Sequence, residues 1–148
     1  MKNLFRNTLM SLFTFSVVFA FANPSDQVSN EDLEKFANIY LEINKVDQLA
    51  QNEMVETITN EGMDVEVFND MMNAYQNPDE TLEASNEELQ QFQEVATKVV
   101  EIHNNAQEEM QQVILDNGFS VEKYQEVATA IQENPELQQK VQEYFQKG

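Results

Sequence analysis

His103 is the single histidine of this 148-residue chain, and it falls between Val99 and Ala106 on the apolar face of a predicted helix. The sequence repeats itself with an offset of 56 residues, which places Asp47 at the position equivalent to His103. If a twofold axis makes the two helices antiparallel, these mid-helix positions approach each other. A carboxylate beside a histidine favours the protonated imidazole, so such a pair can act as a pH-sensitive latch. We favour the structural alternative, a histidine with its own hydrogen bonds or one at the edge of the stripe facing water, because most polar groups near a core are simply satisfied. Asp47 and His103 stay a candidate structural pair.

Other residue types that carry chemistry form no motif in this sequence. A di-iron helical bundle needs a glutamate three residues before a ligating histidine, and Val100 occupies that position. Cysteine is absent, which removes thiolate metal sites and disulfides. Neither Gly62 nor Gly118 fits the sixth position of an EF-hand loop, because the ligand pattern fails around both. The sequence therefore predicts no catalytic, cofactor or metal site, and no enzyme.

The charge of the chain excludes several classes of partner. It has 8 basic and 27 acidic residues, a formal net charge of −19. Lys2 and Arg6 lie in a predicted leader that has no acid, so the remainder has 6 bases against 27 acids, a net charge of about −21. Such a surface repels nucleic acids and anionic lipids, and it attracts basic proteins and loosely held divalent cations. We expect no nucleic-acid partner.

Residues 1–22 are predicted to be a secretory signal peptide. Lys2 and Arg6 form its basic start, an apolar run follows, and Ala20 and Ala22 provide the small residues before the cleavage site. The apolar run of about 13 residues is shorter than the roughly 20 that span a bilayer. We expect cleavage after Ala22, a flexible start at 23–28, and no stable membrane insertion afterwards. The mature protein is then periplasmic in a Gram-negative cell and otherwise secreted.

The mature sequence contains one helical unit twice, at 29–78 and 85–135. Caps, glycine and proline recur in the same order, which chance similarity of composition would not produce. The matching segments are 29–36 and 85–92, 50–54 and 106–110, Gly62 and Gly118, and, after a slip of one residue, Asn77-Pro78 and Asn134-Pro135.

Each copy predicts a capped long helix that ends at a glycine. Ser29 and Ser85 are N-cap candidates, and the acid three residues later in each copy completes a capping box. Gly62 and Gly118 fit the left-handed position after a helix. Steps of three and four define an apolar stripe. It comprises Leu33, Phe36, Tyr40, Ile43, Ala50, Met54 and Ile58 in the first copy, and Leu89, Phe92, Ala96, Val99, Ala106, Met110 and Ile114 in the second, widened by Ile39, Val46, Val95 and Ile102.

A shorter helix follows in each copy, capped by Asp64 or Ser120 and ended by the Asn-Pro pair, because the residue before proline disfavours helix. Pro135 can open a last helix over 136–147. The predicted apolar residues of these three helices are Val65, Phe68, Met71, Met72 and Tyr75, then Val121, Tyr124, Val127, Ala128 and Ile131, and finally Leu137, Val141, Tyr144 and Phe145.

These elements predict an all-α fold. Internally duplicated long-helix/short-helix hairpins pack as a pseudo-twofold helical bundle with a short C-terminal helix, because one hairpin cannot bury its own stripe. The region 29–148 is predicted to be a single domain. The pattern leaves open whether the long helices pair within one chain or between the two chains of a homodimer.

The repeated pattern Ser-Asn-Glu-(Asp/Glu)-Leu-x-x-Phe, with Ala-Gln-x-Glu-Met, Gly-(Met/Phe)-(Asp/Ser)-Val-Glu and Asn-Pro-(Asp/Glu), resembles domain of unknown function family 4168. The resemblance covers nearly all of the predicted mature chain. The first copy departs more from it, with Tyr40-Leu41-Glu42 and Met71-Met72. Members are small exported bacterial proteins with a helical repeat, so the resemblance implies fold and export. It offers no catalytic residues to carry over.

The expected function is therefore protein–protein contact in the bacterial envelope by a non-enzymatic helical protein. One alternative is a periplasmic holdase-like chaperone, which needs an exposed apolar concave face. The other is low-affinity divalent-cation binding or sensing through the acidic surface.

Overall fold

The computed structural model describes residues 28–77 and 84–146, which form five α-helices and no β-strand. The all-α prediction is confirmed. The predicted signal peptide at 1–22 lies outside the described residues, as does Pro78. The helices are α1 (Asn30–Asn60), α2 (Val65–Gln76), α3 (Asn86–Asp116), α4 (Val121–Glu133) and α5 (Pro135–Phe145).

Both long helices begin with a reciprocal capping box. The Asp32 N–H donates to Ser29 Oγ at 3.0 Å, and the Ser29 N–H donates to Asp32 Oδ2 at 3.1 Å. In the second copy the Glu88 N–H donates to Ser85 Oγ at 3.2 Å, and the Ser85 N–H donates to Glu88 Oε2 at 2.8 Å. These bonds satisfy donors that a first helical turn cannot pair internally. The predicted caps are confirmed in both copies.

Both long helices end in a Schellman motif. Gly62 has φ +79° and Gly118 has φ +81°, the left-handed conformation that disfavours a side chain. The N–H groups of the next residues, Met63 and Phe119, each donate to the carbonyl oxygen five residues earlier at 3.1 Å. Met63 and Phe119 are both buried. The glycine thus turns the chain and returns an apolar side chain to the interior.

The shorter helices are capped as predicted. Asp64 and Ser120 accept backbone N–H groups from the first turns of α2 and α4 at 2.8 and 3.1 Å. Asn134 ends α4 and also caps α5, where its Oδ1 accepts the Glu136 N–H at 2.9 Å. Pro135 is the first residue of α5. A backbone N–H at this position would have no acceptor within the helix, so proline costs no hydrogen bond there.

The chain divides into two compact units, and the division falls inside α1. The first unit combines 28–38 with 120–146, that is, the start of α1 with α4 and α5. In it Phe36 stacks on Tyr124 with ring centroids 4.9 Å apart, and Lys123 Nζ lies 3.6 Å from Asp32 Oδ2. Its buried apolar residues are Leu33, Phe36, Ala37, Val127, Ala130, Leu137 and Val141.

The second unit combines 39–77 with 84–119. Lys98 Nζ of α3 lies 2.6 Å from Oε1 of Glu61, just after α1. Asn117 Nδ2, just after α3, donates to Glu42 Oε2 of α1 at 3.2 Å. Since each helix end meets the first half of the other helix, α3 runs antiparallel to this part of α1. The ring of Phe92 on α3 packs against α2, with its centroid 5.4 Å from that of Phe68.

Burial follows the repeat of 56 residues. Most positions that are buried in one copy are buried in the other, so both copies use the same helix faces for the interior. The pairs buried in both copies are Phe36 and Phe92, Ile39 and Val95, Ala50 and Ala106, Ile58 and Ile114, Met63 and Phe119, and Met71 and Val127.

Two aromatic residues predicted on apolar stripes are exposed, so those predictions were wrong. Tyr40 is 42 % exposed, whereas Ile39 beside it is 0 % exposed. Neighbouring helical residues point about 100° apart, and here the interior lies on the side of Ile39. Tyr75 is 77 % exposed, and its ring centroid lies 6.4 Å from that of Phe92. The stripe residues Ile43, Leu89, Ala96 and Met110 are half-buried.

Candidate functional site

Asp47 and His103, the predicted structural pair, lie in α1 and α3 and are both half-buried. Asp47 Oδ2 accepts a hydrogen bond from Gln51 Nε2 at 2.7 Å, one turn further along α1. Asp47 Oδ1 is buried and has no hydrogen-bond partner. His103 Nδ1 is buried too, and both residues belong to the second unit. Contact between the two side chains stays a prediction.

The hydroxyls of Ser29, Ser85 and Ser120 are engaged at helix starts. Each accepts a backbone N–H from its own first turn. The first two also donate to their capping acids, to Asp32 Oδ2 at 2.9 Å and to Glu88 Oε2 at 2.7 Å. A nucleophilic serine instead needs an adjacent general base that a third group orients. These hydrogen bonds give the three serines a structural role at the helix starts.

The two capping acids are held in their charged form. Partial burial by itself raises the pKa of Asp32, but the hydrogen bonds from Ser29 and the Lys123 ammonium outweigh it, so the net pKa is lowered. The backbone and hydroxyl hydrogen bonds from Ser85 lower the pKa of Glu88, and slight burial opposes them. Both shifts follow from hydrogen bonds to the carboxylate, which favour its ionised form. The lowered pKa values of Asp32 and Glu88 therefore follow from their role in the helix caps.

Within 28–77 and 84–146, no three or more His, Asp or Glu side chains group in a way that could hold a metal ion. Over the same described ranges, no helix is both long and apolar enough to cross a bilayer.

The outer side of α1 carries three exposed aliphatic residues. Leu41, Leu49 and Val55 are 42 %, 59 % and 40 % exposed. At 3.6 residues per turn and 1.5 Å per residue, they fall within an arc of about 120° and along roughly 21 Å of the helix. We call these three residues the α1 outer row. All of them belong to the second unit.

The second copy has polar residues at the positions equivalent to the α1 outer row. Thr97, Asn105 and Gln111 of α3 follow Leu41, Leu49 and Val55 by 56 residues and are likewise exposed. The same surface positions of the repeated helix therefore accept polar side chains, and the fold does not require aliphatic ones there. The sequence comparison along the apolar stripes missed this row. The aliphatic-to-polar difference is visible in the sequence, and the structure adds that these positions face solvent.

Three exposed glutamates lie beside the α1 outer row. Glu42, Glu53 and Glu56 fall on one flank of it, about 60 to 120° around the helix from Leu41. Lys45 is the one basic residue between Leu41 and Val55. The equivalent positions of α3 carry Lys98, Glu109 and Gln112, but Glu101 and Glu108 replace Lys45 and Asn52 nearby, so these five positions have a net charge of −2 in both copies. The two copies thus differ in the apolar row and in where the acids lie, but not in the charge around the row.

Other exposed apolar residues are distributed over the remaining helices. Val67 on α2 is 48 % exposed, and Val100 and Leu115 on α3 are 51 % and 52 % exposed. Val100 and Leu115 are separated by about four turns of helix, with no exposed large apolar residue between them. The α1 outer row is the denser arrangement.

The described residues form an acidic, all-helical protein in which Ser29, Ser85 and Ser120 cap helix starts. The chain belongs to the family described as domain of unknown function (DUF4168), whose model matches residues 29–141. The family resemblance expected from the sequence motifs is thereby confirmed. Comparisons with curated proteins and with solved structures gave no match.

Proposed function

We propose that this protein is an exported, non-enzymatic helical protein of the bacterial envelope that acts through contact with other proteins. The observation that carries the proposal is the α1 outer row, where exposed aliphatic residues replace the polar residues of the other copy. Grouped apolar residues on a soluble surface are typical of interaction sites. The engagement of Ser29, Ser85 and Ser120 in caps supports the non-enzymatic part of the proposal.

In-cell photo-crosslinking tests the contact. A photoreactive amino acid is placed at one exposed apolar position at a time, on α1, α2 and α3, and the adducts are identified by mass spectrometry. We expect a discrete adduct with one protein or a few proteins. Adducts with many unrelated unfolded proteins would favour the holdase-like chaperone instead. No protein adduct from any of these positions would contradict the proposal.

Export has its own test, since it rests on the leader at 1–22 and on the family resemblance. We expect cell fractionation to recover the protein outside the cytoplasm, with a mature N-terminus at Asn23 by terminal sequencing. A full-length cytoplasmic chain that retains Lys2 and Arg6 would contradict export. That result would leave the contact proposal to be judged by the crosslinking experiment.

We also propose that the two copies are related by a pseudo-twofold axis. Reciprocal contacts support this, because a twofold relation turns a contact between residue i of one copy and residue j of the other into its exchanged counterpart. Exchanging the copies converts Phe36–Tyr124 into Phe92–Phe68, and Glu61–Lys98 into Asn117–Glu42.

Cysteine pairs test this relation, because the native chain has no cysteine. One variant combines Glu42→Cys with Asn117→Cys, and the other combines Glu61→Cys with Lys98→Cys. With a short bismaleimide we expect both variants to give intramolecular crosslinks in the monomer. Crosslinks found only between chains would instead indicate helix pairing in a homodimer.

A further inference from the structure

We propose that the α1 outer row binds a basic amphipathic helix of another protein. This inference rests on the contact function proposed above and specifies the surface and the chemistry of the partner. The surface consists of Leu41, Leu49 and Val55 with the flank of Glu42, Glu53 and Glu56, all exposed and all in the second unit.

The shape of the surface favours a helix as its occupant. The row runs along the axis of α1 for about four turns, which is the length over which two helices pack side by side. A partner helix with an apolar stripe of the same length can contact all three residues, with the exposed polar residues Lys45, Gln48 and Asn52 between the contacts. Exposed aliphatic residues on both helices then leave water together, which supplies the favourable free energy.

Charge selects a basic partner. Three carboxylates flank the row, Lys45 is the one base within it, and the chain as a whole has a net charge of −19. Lysines or arginines beside the apolar stripe of a partner helix complement this flank. A second copy of this chain would bring the same acidic flank and the same net charge, so repulsion opposes self-association.

The second copy argues against a purely structural reason for the row. Its α3 has Thr97, Asn105 and Gln111 at the equivalent exposed positions. Helix formation and packing thus proceed without the aliphatic row. The aliphatic residues at these three positions therefore have no counterpart in the repeated helix, as expected if they serve a ligand.

A binding experiment with a defined probe tests the proposal. The probe is a fluorescent helical peptide of leucine and lysine, about five turns long, with its leucines on one face, and affinity is measured by anisotropy at physiological salt. The test variant combines Leu41→Thr, Leu49→Asn and Val55→Gln, which are the residues of the other copy and leave the net charge unchanged. We expect its Kd to rise at least tenfold, which corresponds to about 1.4 kcal/mol.

Two controls separate the row from general stickiness and from general charge. Val67→Thr removes an exposed apolar residue on α2 and should change Kd less than twofold. Glu53→Gln with Glu56→Gln should weaken binding severalfold and reduce its salt dependence. Glu108→Gln with Glu109→Gln on α3 removes the same charge elsewhere and should have a smaller effect. Circular dichroism and thermal melting are used to check that each variant is folded.

Several results would overturn the inference. Equal Kd values for the triple variant and the native chain would show that overall acidity, rather than the row, binds the peptide. Self-association of the native chain that the triple variant loses would assign the row to a second copy. Binding to neutral phosphatidylcholine vesicles that the triple variant loses would assign it to a membrane. In-cell adducts from other positions but not from 49 would end this inference and leave the contact function standing, whereas adducts from no position would end both.

Discussion

In the first copy, Gly62 ends α1 with φ +79°, and the next residue, Met63, is buried. In the second copy, Gly118 ends α3 with φ +81°, and the next residue, Phe119, is buried. The capping boxes at the two helix starts correspond in the same way. On the outer side the copies differ. Leu49 of the first copy, at 59 % exposure, corresponds to Asn105 of the second.

This difference separates two kinds of constraint. Caps and buried residues must match their surroundings closely, because an unpaired donor or an interior void destabilises the fold. An exposed helical position has few contacts and tolerates most side chains. A grouped departure from polar residues on the outside, as in the α1 outer row, therefore points to a requirement other than folding.

The largest expected effect tests the equivalence of the two cores. Ile58 and Ile114 are 1 % and 5 % exposed at equivalent positions. We expect Ile58→Ala and Ile114→Ala each to reduce the free energy of unfolding by about 2 to 5 kcal/mol, through lost apolar contact and a residual cavity. Urea unfolding measures both. Leu49→Ala, an exposed control, should cost less than about 0.5 kcal/mol. A core substitution as mild as this control would show that the two copies do not share one type of interior.

The glycine turns should show the next largest effect. Replacing Gly62 or Gly118 with alanine forces a side chain into the left-handed region, which costs roughly 1 to 2 kcal/mol. A Cβ at position 62 would lie 3.6 Å from Gln91 Nε2. A Cβ at position 118 would have open space around it, with no atom of the described residues beyond its chain neighbours within 4 Å. Backbone strain thus decides both, and we expect nearly equal losses in thermal or urea unfolding. Gly→Asn at each site should cost less, since asparagine tolerates this conformation better.

The caps sharpen the comparison through pH. Asp32 and Glu88 both have lowered pKa values in the folded state. Their carboxylates therefore stabilise the fold fully above the unfolded pKa, near 4, and this contribution is lost as pH falls through the folded pKa. We expect Asp32→Asn and Glu88→Gln to lower the melting temperature at pH 7 and to differ less from the native chain at pH 3. Equal differences at both pH values would contradict the cap interpretation.

Ser29→Ala and Ser85→Ala provide matched measurements of the same two caps. Each should cost about 1 kcal/mol at neutral pH, because the N–H of the third helical residue loses its acceptor. A loss at only one of the two serines would break the correspondence between the copies.

The smallest expected effect concerns Asp47 and His103, the equivalent positions at which the copies differ in chemistry. Asp47 Oδ2 already accepts the Gln51 side chain at 2.7 Å. Under the structural interpretation, Asp47→Asn leaves the pH dependence of melting between pH 5 and 8 unchanged. Loss of a pH-dependent step in that variant would instead support the latch. His103→Gln, which cannot titrate, is the matching control.

The sequence by itself determined the all-α class, the helix starts and ends, and most of the buried stripe. Each of these depends on residues within about one turn of each other. Ser85 and Glu88 form a cap across three residues, and Gly118 ends α3 through a bond to the turn before it. Such local geometry needs no knowledge of neighbouring helices.

The tertiary structure decided which side of each stripe is covered and which residues meet across the chain. In the folded chain Phe36 stacks on Tyr124, and Ile39 rather than Tyr40 lies in the interior. The boundary between the two compact units falls inside α1. It also showed that Leu41, Leu49 and Val55 are exposed. Exposure depends on what distant segments cover, and periodicity along one helix does not contain that information.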